Sequence, residues 1–290
     1  MFKGAFTALV TPFRNGRIDT DALRAHVDRQ IEGGIDGLVP CGTTGEASTL
    51  SHDEHVEVVR IVVEHTGGRV PVIAGSGSNS TSEALELTRR VKDVGANGAL
   101  MITPYYNKPT QDGLVAHFTT VAKGVDIPII LYNVPGRTGI NMLPETVGRL
   151  SAVPNIIGLK DAAADLKQTS YTRRVVPDEF IILSGEDALV YPLLAVSGNG
   201  VISVVSNIVP GDMAALCRLF QDGDMTGAAG LHHQLLPLCD AMFVETNPIP
   251  VKGALAMMGH IENELRLPLV PLTENGAVKV RKALSNYGLL

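Results

Sequence analysis

"IIGLKDAA", residues 156–163, joins two features that seldom share a segment: an apolar run suited to a buried strand, and a lysine and an aspartate that close it. A strand with one wet face alternates apolar and polar residues. A continuous apolar run buries both faces, which is the pattern of a parallel sheet covered by helices. A charged amine at the end of such a strand is expensive unless something in its surroundings uses it.

The same run recurs along the chain. Comparable segments lie at residues 4–12 (GAFTALVTP), 36–42 (DGLVPCG), 70–77 (VPVIAGSG), 98–106 (GALMITPYY), 127–135 (IPIILYNVP), 180–187 (FIILSGED) and 200–207 (GVISVVSN), which with the run at 156–162 makes eight candidate strands. Between them lie segments such as TDALRAHVDRQIEGG (20–34) and SEALELTRRVKDVG (82–95). Their apolar residues recur at three and four, and a glycine follows the last turn, as at helix C-termini. Eight βα units in series favour a closed (β/α)₈ TIM barrel over an open doubly wound sheet. The tail holds three helical patterns and no strand. The expected organisation is therefore α/β: a barrel over residues 1–223 with a C-terminal helical appendage over 224–290, packed directly on it.

Composition narrows the function. Of 290 residues, 45% are hydrophobic and 19% charged, with a net charge of -6, so nothing electrostatic suggests nucleic acid. Cys41, Cys217 and Cys239 are far apart and odd in number, which suggests neither a disulfide framework nor a zinc site and fits a reducing cytoplasm. Pro12 and Arg14 interrupt the apolar N-terminal stretch, and no segment approaches the roughly 20 apolar residues of a membrane span. The expectation is a cytoplasmic protein with no membrane and no nucleic-acid partner.

In a barrel of this kind the reactive groups sit where strands end at the C-terminal mouth. The second run ends in CGTTGE (41–46), the fourth in TPYYN (103–107), the fifth in LYNVPGRTG (131–139), the sixth in Lys160-Asp161 and the seventh in SGED (184–187). Thr43, Thr44, Tyr106, Tyr132, Arg137 and Lys160 are thereby expected to face one cavity. A lysine ordinarily titrates near 10.4, leaving only about one in a few thousand neutral at pH 7, but desolvation or cationic neighbours pull it toward neutrality. The free amine then forms a Schiff base with a ketone or aldehyde. The protonated imine withdraws electrons from the adjacent carbon, so carbon–carbon bonds form or break there. Tyr132 and Thr43 suit a proton relay, and Arg137 offers a planar fork to a carboxylate. The scheme requires no metal and no organic cofactor.

Each residue alone has a plainer explanation: a solvated cap for Lys160, a core aromatic for either tyrosine, a turn and helix cap for GTTG, a surface ion pair for Arg137. Their coincidence at successive strand ends is what favours the chemistry. GSGSNS (75–80) lacks the remaining marks of a dinucleotide site, and HDEH (52–55) lacks the H-E-x-x-H spacing of zinc enzymes. Cys41 has no histidine placed by sequence to activate it.

CGTTGE, TPYYNKP, LYNVPGRTG, IIGLKDA, GVISV and NPIPVK, in order and spacing over essentially the whole chain, resemble the dihydrodipicolinate synthase and N-acetylneuraminate lyase family of pyruvate-dependent aldolases. The resemblance implies that Lys160 forms an imine with pyruvate and that Thr43-Thr44 hold the pyruvate carboxylate. It makes Tyr132, Thr43 and Tyr106 the proton relay, with Tyr106 supplied across a tight dimer. Arg137 would receive the carboxylate of L-aspartate 4-semialdehyde, and the Ile202 carbonyl would border the site. A homotetramer built as a dimer of dimers is implied. So is an effector site for L-lysine from Ser48, His52, His55, Asn79, Glu83 and Tyr105, although the pair Ala47-Ser48 reverses the serine–alanine order of the inhibited enzymes. Asp161 replaces a glutamate common in the synthases and does not separate them from the aldolases of 2-keto acid sugars, which stand as the alternative. A silent barrel that only binds pyruvate or lysine is the rival from another class.

Overall fold

The structure is a computed structural model that describes residues 2–290. All eight apolar runs form parallel strands: β1 (Gly4–Ala8), β4 (Gly37–Val39), β5 (Ile73–Gly75), β6 (Gly98–Ile102), β7 (Ile129–Asn133), β8 (Ile156–Asp161), β9 (Ile181–Ser184) and β10 (Gly200–Ser203). Their lateral order is β4-β1-β10-β9-β8-β7-β6-β5, and a parallel bridge between Leu38 and Val72 joins the two ends, closing the (β/α)₈ barrel.

Every strand is shorter than its apolar run, and proline explains three of the stops. Pro40, Pro104 and Pro135 follow β4, β6 and β7 within one or two residues, and a proline has no N–H to give a ladder. The surplus residues form the loops of the mouth. Residues 13–18, between the first apolar run and the first helical segment, make a small hairpin of β2 (Phe13–Arg14) and β3 (Arg17–Ile18). Its turn is Asn15-Gly16, both with positive φ (54° and 76°), the conformation a two-residue hairpin needs.

Side chains alternate across each strand. Phe6, Val39, Ile73, Leu100, Ile130, Leu183 and Ile202 fill the barrel interior, whereas Leu38, Ala99, Met101, Leu131, Leu159 and Ile182 face the surrounding helices. The helices around the barrel are α1 (Thr20–Glu32), α2 (His52–Thr66), α3 (Thr81–Asp93), α4 (Gln111–Gly124), the single turn α5 (Pro135–Thr138), α6 (Pro144–Ser151), α7 (Leu166–Val175), α8 (Val190–Ala195) and α9 (Pro210–Gln221), which follows the last strand. Helix α2 starts in a capping box, with the Ser51 hydroxyl accepting from the Glu54 N–H and the Glu54 carboxylate accepting from the Ser51 N–H.

Three helices lie beyond residue 224: α10 (Met225–Ala241), α11 (Ile249–Met257) and α12 (Glu274–Tyr287). Leu235, Leu238, Val251, Leu255, Val280 and Leu284 from these helices share one buried cluster with Leu23, Val27, Val58 and Val62 of α1 and α2. The tail thus sits on the barrel through a continuous apolar core.

Candidate active site

Alternation along β8 sends Lys160 inward and Asp161 outward. The Lys160 side chain is buried, 6% exposed, and pairs in register with Tyr132 of β7. Its Nζ lies 4.3 Å from the centroid of the Tyr132 ring. Desolvation is the main influence on this amine and lowers its pKa to about 8, against the opposing pull of the Asp187 and Glu186 carboxylates. Gly185, after β9, keeps this space open. A Cβ there would stand 2.6 Å from the Ala162 Cβ and 3.1 Å from the Lys160 Cε.

Asp161 has a structural task. Its Oδ1 accepts from the Ala163 N–H at 3.0 Å and its Oδ2 from the Thr169 hydroxyl at 2.7 Å. It fixes the loop between β8 and helix α7 (Leu166–Val175) from outside the barrel.

The threonines arrive on the loop after β4. This loop turns through two non-glycine residues of positive φ, Cys41 (55°) and Glu46 (54°). Thr44 is buried and its Oγ1 accepts from Asn247 Nδ2 at 3.1 Å. Burial dominates the Tyr132 phenol and pushes it up to about 12, against the smaller opposing influence of Arg137 and the nearby Thr43 side chain. Tyr132 therefore carries its proton at neutral pH and can lend it. Arg137 is on α5, exposed, with its Nη2 donating to the Asn247 carbonyl at 3.2 Å.

A small cavity of about 40 Å³ brings Lys160, Tyr132, Thr43, Thr44 and Arg137 together, five residues from three strand ends. Tyr106 does not line this cavity: it is 89% exposed with φ +72°. The Ile202 side chain packs in the barrel interior, on the strand β10.

A larger cavity of about 480 Å³ adjoins the first, sharing Thr43, Tyr132 and Arg137 with it. Ser48, His52, His55, Glu83 and Tyr105 line it as well. His52 Nε2 lies 3.1 Å from Glu83 Oε1, while the buried His55 donates from Nε2 to the Gly75 carbonyl at 2.7 Å. Desolvation holds His55 below the usual histidine range, so it stays neutral. The two histidines of HDEH serve different partners and converge on no shared point. Asn79 does not line the cavity but braces its rim, donating from Nδ2 to the Tyr105 carbonyl at 3.2 Å.

Residues 1–287 match the model of the dihydrodipicolinate synthetase family. The chain belongs to this family. It is 57% identical over 290 residues to a 4-hydroxy-tetrahydrodipicolinate synthase of Oleidesulfovibrio alaskensis, covering 100% of this chain and 99% of the relative. Among solved structures it is similar to the dihydrodipicolinate synthase of Thermotoga maritima (46% identity, all of both chains covered, TM-score 0.99). It is also similar to the enzyme of Cyanidioschyzon merolae crystallised with lysine bound (41% identity, 100% of this chain and 99% of that one covered, TM-score 0.97).

Three residues of this family member's site had no role assigned from sequence. Glu186 lines the Lys160 cavity, and Asp187 behind it is buried, its Oδ2 accepting from the Val204 and Val205 N–H groups at 2.9 Å each. Burial raises the pKa of both carboxyls. SGED was visible as a strand end, and only the fold reveals that its acids lie near the lysine. Asn247 comes from the tail, 87 residues beyond Lys160, and clamps Thr44 with its side chain and Arg137 with its carbonyl. The run NPIPVK was a signal, but spacing along a chain carries no information about which loop it meets.

Proposed function

We propose that this protein condenses pyruvate with L-aspartate 4-semialdehyde through an imine on Lys160, giving 4-hydroxy-tetrahydrodipicolinate for lysine and diaminopimelate biosynthesis. The observation that carries this reading is the gathering of Lys160, Tyr132, Thr43, Thr44 and Arg137 around one small cavity in a chain so similar to named synthases. The sugar-acid alternative draws no support from the relatives, which carry the synthase name.

The steps follow from the groups present. The neutral Lys160 amine attacks C2 of pyruvate, whose carboxylate is held at the Thr43-Thr44 turn, and loss of water gives the imine. Removal of a C3 proton turns the imine into an enamine. Its C3 attacks the aldehyde carbon, and the new alkoxide takes a proton from the relay headed by Tyr132. The α-amino group of the condensed semialdehyde then attacks C2, expels the lysine amine and closes the ring. One water leaves overall. Arg137, exposed at the mouth, offers two parallel N–H donors to the semialdehyde carboxylate. The test is a coupled assay with competing aldehydes: turnover of L-aspartate 4-semialdehyde is expected to dominate, and preferential turnover of a sugar aldehyde would overturn the reading.

The relay takes its third member, Tyr106, from a neighbouring subunit. An aromatic ring 89% exposed on a left-handed backbone is unfavourable in an isolated protomer and suits insertion across a tight dimer. Two such dimers make the assembly a homotetramer. The larger cavity is the site for L-lysine, with Glu83 for the ammonium group and His52, Ser48 and Tyr105 around it; Asn79 and His55 shape its walls. The solved relative with lysine bound supports this assignment.

A further inference from the structure

Glu46 and Lys252 form an ion pair with both side chains 0% exposed. They come from opposite ends of the chain, Glu46 from the end of the threonine loop and Lys252 from α11 in the tail. Every polar atom is occupied. Glu46 gives one oxygen to Lys252 and the other to the Arg266 N–H at 3.0 Å. Lys252 Nζ also donates to the Thr11 carbonyl at 2.9 Å and sits 4.4 Å over the Phe13 ring. The residues just before Glu46 are held too, the Gly45 carbonyl by the Thr11 hydroxyl at 2.7 Å and the Thr44 hydroxyl by Asn247.

Two features set this pair apart from general glue. A buried ion pair adds little net stability over apolar residues of the same volume, so its benefit lies in fixing where things are. Glu46 also holds a left-handed backbone (φ 54°, ψ 37°), which a long side chain adopts only where its surroundings over-determine it. The ion pair thus sits at the strained residue of the turn itself.

We propose that Glu46 and Lys252 are positioning residues for the pyruvate end of the site, holding the loop so that the Thr43 and Thr44 hydroxyls stand at the distance from Lys160 that imine formation needs. The proposal rests on the assignment of those threonines to the pyruvate carboxylate.

The full-length protein tests it through three variants. Glu46→Gln alone strands a buried ammonium, and a fall in melting temperature is expected. The double variant Glu46→Gln/Lys252→Met removes both charges and is expected to regain most of that temperature, because the desolvation of both ions is relieved. It is nevertheless expected to keep a pyruvate KM raised at least tenfold, with the KM for the aldehyde within about twofold of wild type. Thr44→Val serves as the reference and is expected to raise the pyruvate KM as well. A refolded double variant with wild-type pyruvate KM, beside a raised KM in Thr44→Val, overturns the positioning role and leaves the threonine assignment standing. An unchanged pyruvate KM in Thr44→Val overturns the assignment itself, and the inference with it.

Discussion

Lys160 Nζ stands 4.3 Å from the centroid of the Tyr132 ring, one strand away in exact register. The pairing places the proposed nucleophile and the proposed proton donor side by side and gives them opposite responses to one environment. Burial lowers the amine to about 8 and raises the phenol to about 12. The amine becomes easier to free of its proton while the phenol keeps its own.

The amine's titration predicts a pH profile. Below about 8 the neutral fraction of Lys160 falls tenfold per unit, so trapping of the pyruvate imine by cyanoborohydride, at pyruvate below saturation, should rise with pH and level off above about 8. Glu186 opposes the lowering, so Glu186→Gln should move the midpoint down. An upward movement would show that Glu186 does not act on the amine through its charge.

Burial of Lys160 also has a stability consequence. With a folded pKa of about 8 against 10.5 unfolded, the unfolded chain binds more protons between those values. The resulting destabilisation is full below pH 8 and gone above about 10.5, and amounts to about 3 kcal/mol at pH 7. Lys160→Met should therefore raise the melting temperature at pH 7 by several degrees, with a smaller gain at pH 10. A lower melting temperature at pH 7 would contradict the assigned desolvation.

Arg137 separates binding of the two substrates. Its guanidinium is exposed beside the cavity and donates to the Asn247 carbonyl. Arg137→Ala should leave pyruvate trapping at Lys160 within about twofold of wild type while condensation falls by at least about 100-fold in kcat/KM, the loss of a charge-assisted bidentate contact. Equal loss of both activities would place the arginine at the pyruvate end instead.

The fold was legible because eight apolar runs with helical segments between them leave few alternatives, and IIGLKDAA carried both the stave and the lysine proposed as nucleophile. Thr43, Thr44, Tyr132, Arg137 and Lys160 were legible for a related reason, since barrel topology sends strand ends to one mouth whatever the tertiary detail. What stayed hidden depends on contacts between distant segments. Nothing local in NPIPVK says that Asn247 reaches Thr44 or that Lys252 is buried against Glu46. Asp161, opaque in the sequence, is explained by strand parity, which turns it away from the cavity to Ala163 and Thr169.

The lysine site proposed in the larger cavity predicts feedback inhibition by L-lysine. Activity titrated with L-lysine should fall at millimolar concentrations or below, and Glu83→Gln, which removes the carboxylate 3.1 Å from His52 Nε2, should weaken inhibition at least tenfold with uninhibited turnover little changed. Unaltered activity at ten millimolar lysine would remove the effector role from this cavity.

The covalent bond between pyruvate and Lys160 is read out by borohydride reduction in the presence of pyruvate followed by peptide mass mapping. A single reduced pyruvyl adduct is expected on the peptide containing Lys160, absent from a folded Lys160→Ala variant. Folded wild-type protein that acquires no adduct, or an adduct on another lysine, would contradict it.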